Sequence, residues 1–388
     1  MFNRWIDIHS KRSLLLLGPR RAGKSTLLKM LYPQYQYVTL DDLDDLEYSQ
    51  KDPKGFIKKL GNHFIIDEAQ RNTRLTLPLK KLMDDHLNVH FILTGSVGFN
   101  LKDAVSDTLA GRIEIKQMPP CCFGEERGDR QSTILREKSI KEINEVAREV
   151  DSYLTYGGFP EVLNQKTSKA KEEILKNYKN TYFTRDLAAM TNLENIEGLK
   201  AMFQALMKGL GNRYEYSSLQ KECGLSFVTT KKYLNTLTSS GLAFKLYGYH
   251  LGSAKRYISS SKTYFIDNGI ITCLTDECSK GQMVENMIVS EIEKKRQIGE
   301  IKCDELYYYQ TSGGREVDVI VEEPNQITAI EIKSLTPISG RDIRSLRELS
   351  LKSSKKIRKW IIYFGTELYQ EDGIHFIPFY HFYRRSWE

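Results

Sequence analysis

Short, unbroken apolar runs recur through the first 120 residues, separated by stretches with helical spacing. Residues 13–18 (SLLLLG), 35–40 (YQYVTL), 63–67 (HFIID) and 89–95 (VHFILTG) have the length of strands and are apolar almost throughout. A strand apolar on successive positions is covered on both faces, which is the condition of a parallel sheet between layers of helix. Strands alternating with helical stretches predict an α/β domain with a mostly parallel sheet.

The pattern then changes twice. Residues 125–150 are charge-rich and helical (EERGDR, EKSIKEINEVAREVD), and helical periodicity continues over 165–210. The segment 216–247 (YSSLQKECGLSFVTTKKYLNTLTSSGLAFKLY) reads as helix, glycine-containing turn, second helix and a short strand after Ser239-Ser240-Gly241. That is the outline of a winged helix-turn-helix. From 262 onward the strands KTYFID, ELYYYQT, EVDVIVE, ITAIEIKS and WIIYFG surround one long helix, GQMVENMIVSEIEKKRQ, and predict a small α/β domain. The expected organisation is a core at 1–125, a helical lid or linker at 126–195, a winged helix at 196–261 and the α/β domain at 262–388. No internal repeat or low-complexity tract interrupts it.

The first apolar run leads into Gly18-Pro19-Arg20-Arg21-Ala22-Gly23-Lys24-Ser25-Thr26, which fits GxxxxGK[ST] between a strand and a helix. The glycines let backbone N–H groups approach a phosphate, and the helix N-terminus favours its negative charge. Lys24 would reach the β- and γ-phosphates of ATP, and the Ser25 hydroxyl would ligate Mg²⁺. A second element, FIIDE, ends an apolar strand in Asp67 and Glu68. Asp67 would hold Mg²⁺ through water, and Glu68 would orient and polarise the attacking water. A third, VHFILTGS, delivers Thr94 and Ser96 to the C-terminal end of its strand, where ligands sit in such sheets. Leu109-Ala110-Gly111-Arg112 adds Arg112 as an arginine finger, in cis or from a neighbouring subunit of a homo-oligomer.

GPRRAGKST, FIIDEAQ, ILTGS, LAGR, YGGFPEVL (156–163) and YFTRDL (182–187) together resemble AAA-type P-loop ATPases, and most of all a large bacterial and archaeal group of ATP-binding proteins. The resemblance covers most of the chain. It implies an ATPase domain, a winged helix and a restriction-endonuclease-like domain in that order.

In the last domain, Asp318 lies in EVDVIVE, while Glu331 and Lys333 alternate onto one face of ITAIEIKS. Neighbouring strands would bring Asp318 beside them, and Glu285 on the preceding helix would add a third carboxylate. Such a set can bind Mg²⁺ or Mn²⁺, which polarises a phosphodiester and acidifies its water. The set resembles the PD-(D/E)xK nuclease signature, with Val317 standing where a proline is usual. The resemblance implies a fold; cleavage does not follow from fold alone.

Charge and composition refine this picture modestly. The net charge is +7, compatible with a polyanionic partner, and residues 341–359 carry eight basic and two acidic side chains. There Arg341, Arg344 and Arg347 fall at helical spacing, suited to tracking a phosphate backbone. In the winged helix, Lys231 and Lys232, with Ser226, Thr229 and Thr230, would face DNA, which is a better candidate here than RNA. Tyr307-Tyr308-Tyr309 reads as strand packing. No run of 18 apolar residues occurs, so no membrane span is expected. Six scattered cysteines without metal spacing point to free thiols in the cytoplasm. The absence of an LSGGQ segment disfavours a transporter ATPase. Two function classes remain: an ATPase gating a metal-dependent nuclease, and a nucleotide-dependent switch whose C-terminal domain binds a protein or DNA without cutting.

Overall fold

The computed structural model describes residues 2–382 apart from 86–87, 97–98, 127–139, 182–195, 250–259, 276, 311–313, 335–337, 341–342, 348 and 350–352. The YFTRDL segment and Arg341 therefore lie outside the described residues. The chain divides into two units, Ile6–Pro120 with Ser239–Gly241, and Met1–Trp5 with Cys121–Thr238 and Leu242–Glu388.

The N-terminal unit is built on strands β1 (Leu14–Leu17), β2 (Gln36–Thr39), β3 (His63–Asp67), β4 (His90–Gly95) and β5 (Glu114–Gln117) in the order β2-β3-β4-β1-β5, all parallel. Helices α1 (Lys24–Leu31), α2 (Leu43–Lys51), α3 (Pro53–Lys59), α4 (Thr76–Asp85) and α5 (Phe99–Leu109) connect them. The four apolar runs read from sequence are β1 to β4. β1, β3 and β4 are buried almost end to end because helices cover both faces, whereas β2 at the sheet edge is half-exposed. Local chemistry sets several helix starts. Asp42 accepts from the N–H groups of Asp44 and Asp45 at the head of α2, and Asp52 caps α3 just before Pro53. The core joins Leu15, Leu17, Phe64, Ile66, Phe91 and Leu93 from the strands to Phe56, Leu79 and Val105 from the helices.

The second unit carries one sheet in the order β13-β14-β12-β11-β10-β9-β7-β8-β6. Its strands are β6 (Arg213–Tyr214), β7 (Ala243–Gly248), β8 (Ser261–Phe265), β9 (Leu306–Gln310), β10 (Glu316–Glu322), β11 (Gln326–Lys333), β12 (Lys356–Tyr363), β13 (Tyr369–Glu371) and β14 (Ile374–Pro378). The helices Tyr216–Cys223 and Phe227–Ser239, with the antiparallel pair β7 and β8, complete the winged-helix outline. β7 also pairs in parallel with β9, so the wing and the C-terminal strands share one sheet across residues 261–262. Hydrogen bonding decides this: β8, which opens the C-terminal segment in the sequence reading, takes β7 as its partner.

A buried ionic cluster ties this unit together at YGGFPEVL. Lys294, in the helix Lys280–Gln297, places Nζ 2.7 Å from the Tyr153 hydroxyl, 3.3 Å from Asp267 Oδ2 and 3.4 Å from Glu291 Oε1. Tyr153 donates to Glu291 at 2.6 Å, and the Gly158 N–H donates to Asp267 at 2.7 Å. Burial pushes the Asp267 carboxyl up, while two nearby carboxylates hold the Lys294 ammonium above its usual range despite its burial. The difference follows from sharing, since one cation serves two anions. Gly157 adopts φ 73° here, and a Cβ on it would lie 1.7 Å from Asp267 Oδ1. This explains a glycine pair that the sequence reading used only as a mark of resemblance.

Candidate functional site

The loop after β1 folds back on itself before α1. Arg21 and Gly23 take left-handed backbone angles, φ 62° and 94°, and Gly23 caps α1. Left-handed geometry at successive turns points consecutive N–H groups to one side, the arrangement that receives an anion. Lys24 is 6% exposed and donates to the carbonyls of Gly18 and Pro19 at 2.9 and 3.0 Å. Burial lowers its pKa to about 8, opposed by the Glu68 and Asp67 carboxylates. Gly18 to Thr26 thus occupy the strand-to-helix turn expected of them, and Lys24 rests against the loop's own carbonyls.

Sheet order brings the remaining residues beside this loop. β4 lies next to β1, and β3 lies next to β4, so their C-terminal ends line up with it. Asp67 ends β3 at 5% exposure. Its Oδ2 accepts from Ser25 Oγ at 2.6 Å and from the Tyr37 hydroxyl, and its Oδ1 accepts from Thr94 Oγ1 at 3.1 Å and the Glu68 N–H at 3.1 Å. Charge-assisted bonds of this kind orient a carboxylate firmly. Burial and the Asp67 hydrogen bond push the Tyr37 phenol above its ordinary range, so it remains a donor. The Ser25 oxygen can ligate a cation through its lone pairs while its O–H still donates to Asp67. Ser25 and Asp67 therefore fit a Mg²⁺ ion brought by a nucleotide, with Asp67 holding it through water because both of its oxygens are already engaged.

Glu68 follows in the left-handed region, φ 53°. Its Oε2 accepts from Gln70 Nε2, which also donates to Ser96 Oγ at 3.2 Å. Thr94 and Ser96 are both buried. Arg112 stands apart from this group: its guanidinium donates to Asp84 Oδ1 of α4 through Nε and Nη2, both at 3.0 Å. Sequence reasoning missed Tyr37 and Gln70. Tyr37 lay in a strand read only for apolarity, and Gln70 in the quoted FIIDEAQ run without a role.

The second cluster forms in the C-terminal unit. β10 and β11 pair antiparallel, with Val319 opposite Ile330, and the register of β10 with β9 shifts between Val317 and Ile320. Such a bulge re-aims a side chain. Asp318 sits in it, and its Oδ2 accepts from the Ile332 N–H of β11 at 2.7 Å. Glu331 and Lys333 share a face, as alternation requires, with Oε1 and Nζ 2.8 Å apart. Glu331 Oε2 accepts from Ser345 at 3.1 Å. Glu285 accepts from the Tyr264 hydroxyl at 2.7 Å. Lys262, its side chain 3% exposed, pairs with Glu316 and lies 4.0 Å from Glu285. Burial, then the Asp318 charge, raises the Glu285 pKa to about 7 and the Glu331 pKa to about 8. The acids are thus close enough to feel one another. Lys262, Tyr264, Glu316 and Ser345 were missed; only the Glu316/Asp318 alternation signalled any of them.

These carboxylates do not fit a metal ion as they stand. Among the described residues no group of three His, Cys, Asp or Glu side chains is disposed to hold one. Glu331 is committed to Lys333 and Ser345, Asp318 to a backbone N–H, and Glu285 to Tyr264.

Two expected nucleic-acid surfaces differ in detail. Among the described residues of the basic segment Arg344–Arg347 is helical and Lys356–Tyr363 is strand. Arg347 pairs with Asp372 at 2.6 Å, Lys355 with Glu322 at 3.1 Å and Arg358 with Glu323 at 3.4 Å, so these cations neutralise neighbouring acids. In the winged helix Lys231 and Lys232 are exposed, but Thr230 is buried and donates to the Ser226 carbonyl. Ser226 Oγ caps its helix at the Thr229 N–H. Exposed beside the lysines are Phe227 and Val228. Tyr307 and Tyr308 pack in the core. No helix among the described residues is long and apolar enough to cross a membrane.

Comparison with known proteins matches three stretches of the chain. Residues 10–126 match the family described as an AAA domain. Residues 147–280 and 280–382 match two families each described as a domain of unknown function, DUF8612 and DUF4143. An uncharacterised protein of Mycobacterium tuberculosis is 24% identical over 350 residues, covering 87% of this chain and 74% of its own. One from Methanocaldococcus jannaschii is 26% identical over 345 residues, covering 84% and 76%, and one from Haemophilus influenzae is 24% identical over 391 residues, covering 94% and 92%. The crystal structure of protein VC1899 from Vibrio cholerae aligns over 94% of both chains at 12% identity, with a TM-score of 0.22 that is too low to inform the fold. Residues 10–126 are an AAA domain on a parallel five-stranded sheet, followed by a helical middle and a C-terminal α/β region.

Proposed function

We propose that this chain binds ATP with Mg²⁺ and hydrolyses it, and that the nucleotide state governs a C-terminal unit that engages nucleic acid, DNA in preference to RNA. One observation carries the hydrolysis reading. The Asp67 carboxylate gathers Ser25 from the phosphate loop and Thr94 from the neighbouring strand, with Glu68 next in sequence. Bound Mg²⁺ would be held by Ser25 directly and by Asp67 through water, and would offset charge on the phosphates. Lys24 would exchange the Gly18 and Pro19 carbonyls for phosphate oxygens, which restores the charge that burial disfavours. Glu68 would take the position of the base that orients water. A trans role for Arg112 in a homo-oligomer requires it to leave Asp84, a half-exposed pair worth about 0–1 kcal/mol. The test is ATP turnover by wild type, Lys24→Ala and Glu68→Gln, each with and without DNA. Turnover lost in both variants and raised by DNA supports the proposal; tight ATP binding without turnover refutes hydrolysis.

For the C-terminal unit, residue types and spacing favour a nuclease-like site, whereas the committed carboxylates favour binding without cleavage in this conformation. Cutting would require Glu331 to leave Lys333 and Ser345. Mg²⁺- or Mn²⁺-dependent cleavage that is lost in Glu331→Ala, with ATP turnover intact, establishes the nuclease reading. No cleavage of any nucleic acid, and no Mn²⁺ binding that Asp318→Asn abolishes, leaves the binding module.

A further inference from the structure

Gln70, in the 3₁₀ turn Ala69–Leu75 that follows β3, holds residues at the ends of two neighbouring strands. Its Nε2 donates to Glu68 Oε2 and to Ser96 Oγ, and an amide nitrogen has two protons with which to do both at once. The reversed amide would press its oxygen against the Glu68 carboxylate, so the network sets the orientation. Gln70 Oε1 is buried with no hydrogen-bond partner. It occupies the space that a Cβ at Gly95 would enter, 2.3 Å away. A buried unpaired amide oxygen is destabilising, and so is the left-handed backbone of a non-glycine residue such as Glu68, φ 53°. Two such costs within three residues mark a place kept for function rather than for stability. Their joint effect is to hold Glu68 by one oxygen. Among the described residues no donor reaches the other, Oε1.

We propose that Gln70 is a positioning residue: it holds Glu68 by Oε2 so that Oε1 is presented to the attacking water, and it makes that hold depend on Ser96 at the end of β4. The inference rests on the ATP hydrolysis proposed above and names the residue that orients its base. A γ-phosphate that engages the Ser96 hydroxyl would be registered at Glu68 through one shared amide group, without any movement of the strands.

The test compares ATP turnover by wild type, Gln70→Met, Gln70→Glu, Glu68→Gln and the double variant Glu68→Gln/Gln70→Met, with affinity read by titration of a fluorescent ADP analogue. Gln70→Met keeps length and packing but cannot donate. It is expected to lower kcat by about 10–100-fold with KM and ADP affinity nearly unchanged, since misplacing a catalytic group by about 1 Å has that effect. The double variant should be no slower than Glu68→Gln, because the two residues act as a unit. Gln70→Glu, which sets a carboxylate against Glu68, should be at least as slow and guards against misfolding of the first variant. Wild-type turnover with an unchanged kcat in Gln70→Met, or additive losses in the double variant, overturns the positioning role alone. Wild type without turnover overturns the hydrolysis reading, and this one with it.

Discussion

Ser25 Oγ donates to Asp67 Oδ2 at 2.6 Å across a separation of 42 residues. The contact joins the phosphate loop to the end of β3. Ser25→Ala is therefore expected to weaken the Mg²⁺-dependent part of ATP binding by about 1.5–3 kcal/mol, the range for a hydrogen bond to a charged group. ADP binding measured in EDTA should change little. Titration with and without Mg²⁺ separates the two, and an equal loss in both would mean that Ser25 supports the loop rather than the ion.

The cluster around Lys294 makes stability depend on pH in a stated direction. Lys294→Met leaves Asp267 and Glu291 buried without a counter-charge, at an expected cost of about 3–5 kcal/mol near neutral pH. Asp267 already binds its proton more readily than an unfolded aspartate, owing to burial. A carboxyl with a raised folded pKa binds more protons folded than unfolded, so acidification favours the folded state. Losing the Lys294 cation should raise Asp267 further, so the deficit of Lys294→Met should shrink as pH falls from neutral. Urea melts of both proteins over a pH series measure it; a gap that is independent of pH would contradict the account.

Gly157→Ala should be markedly more destabilising than Gly299→Ala. Both glycines have positive φ, 73° and 86°, but a Cβ at Gly157 would meet Asp267 Oδ1 at 1.7 Å, and one at Gly299 has nothing within 4 Å. Backbone strain of about 1–2 kcal/mol is common to both. The remainder at Gly157 reports disruption of the ionic cluster. Thermal melts that give the two variants the same Tm would remove that cluster as the reason for the glycine.

If the winged helix meets DNA, Lys231 and Lys232 contact phosphate. Each Lys→Gln substitution should then flatten the slope of log affinity against log salt by about 0.9. Anisotropy titrations over a series of KCl concentrations read the slope directly. Thr230→Val, at a buried position, should instead lower stability and leave the slope as in wild type. A slope insensitive to both lysines would redirect the search to other surfaces.

Much of the N-terminal site is legible in the sequence. The phosphate loop, Asp67, Glu68, Thr94 and Ser96 each end an apolar run, and ligand sites in such sheets form at strand ends. Glu331 and Lys333 share a face because strand side chains alternate. The bulge that re-aims Asp318 is less visible, because it arises from pairing between strands. So does the union of wing and C-terminal strands through β7 and β9, a pairing between segments about 60 residues apart in sequence. The basic segment at 341–359 looked like one surface because charge can be counted locally, whereas its acidic partners Glu322, Glu323 and Asp372 come from other strands and turns.

By itself the sequence determined the periodicities and the strand-to-helix turn at Gly18–Thr26, since each depends on neighbours a few positions away, and it pointed to the residues proposed to hold phosphate and magnesium. Only the tertiary structure decided how those groups are engaged. It placed Tyr37 and Thr94 on Asp67, hung Glu68 on Gln70, closed Glu331 onto Lys333, and buried Lys294 between two anions. Hydrogen bonds and charges act over a few ångströms in space, and sheet order and register, not sequence separation, determine which side chains come that close.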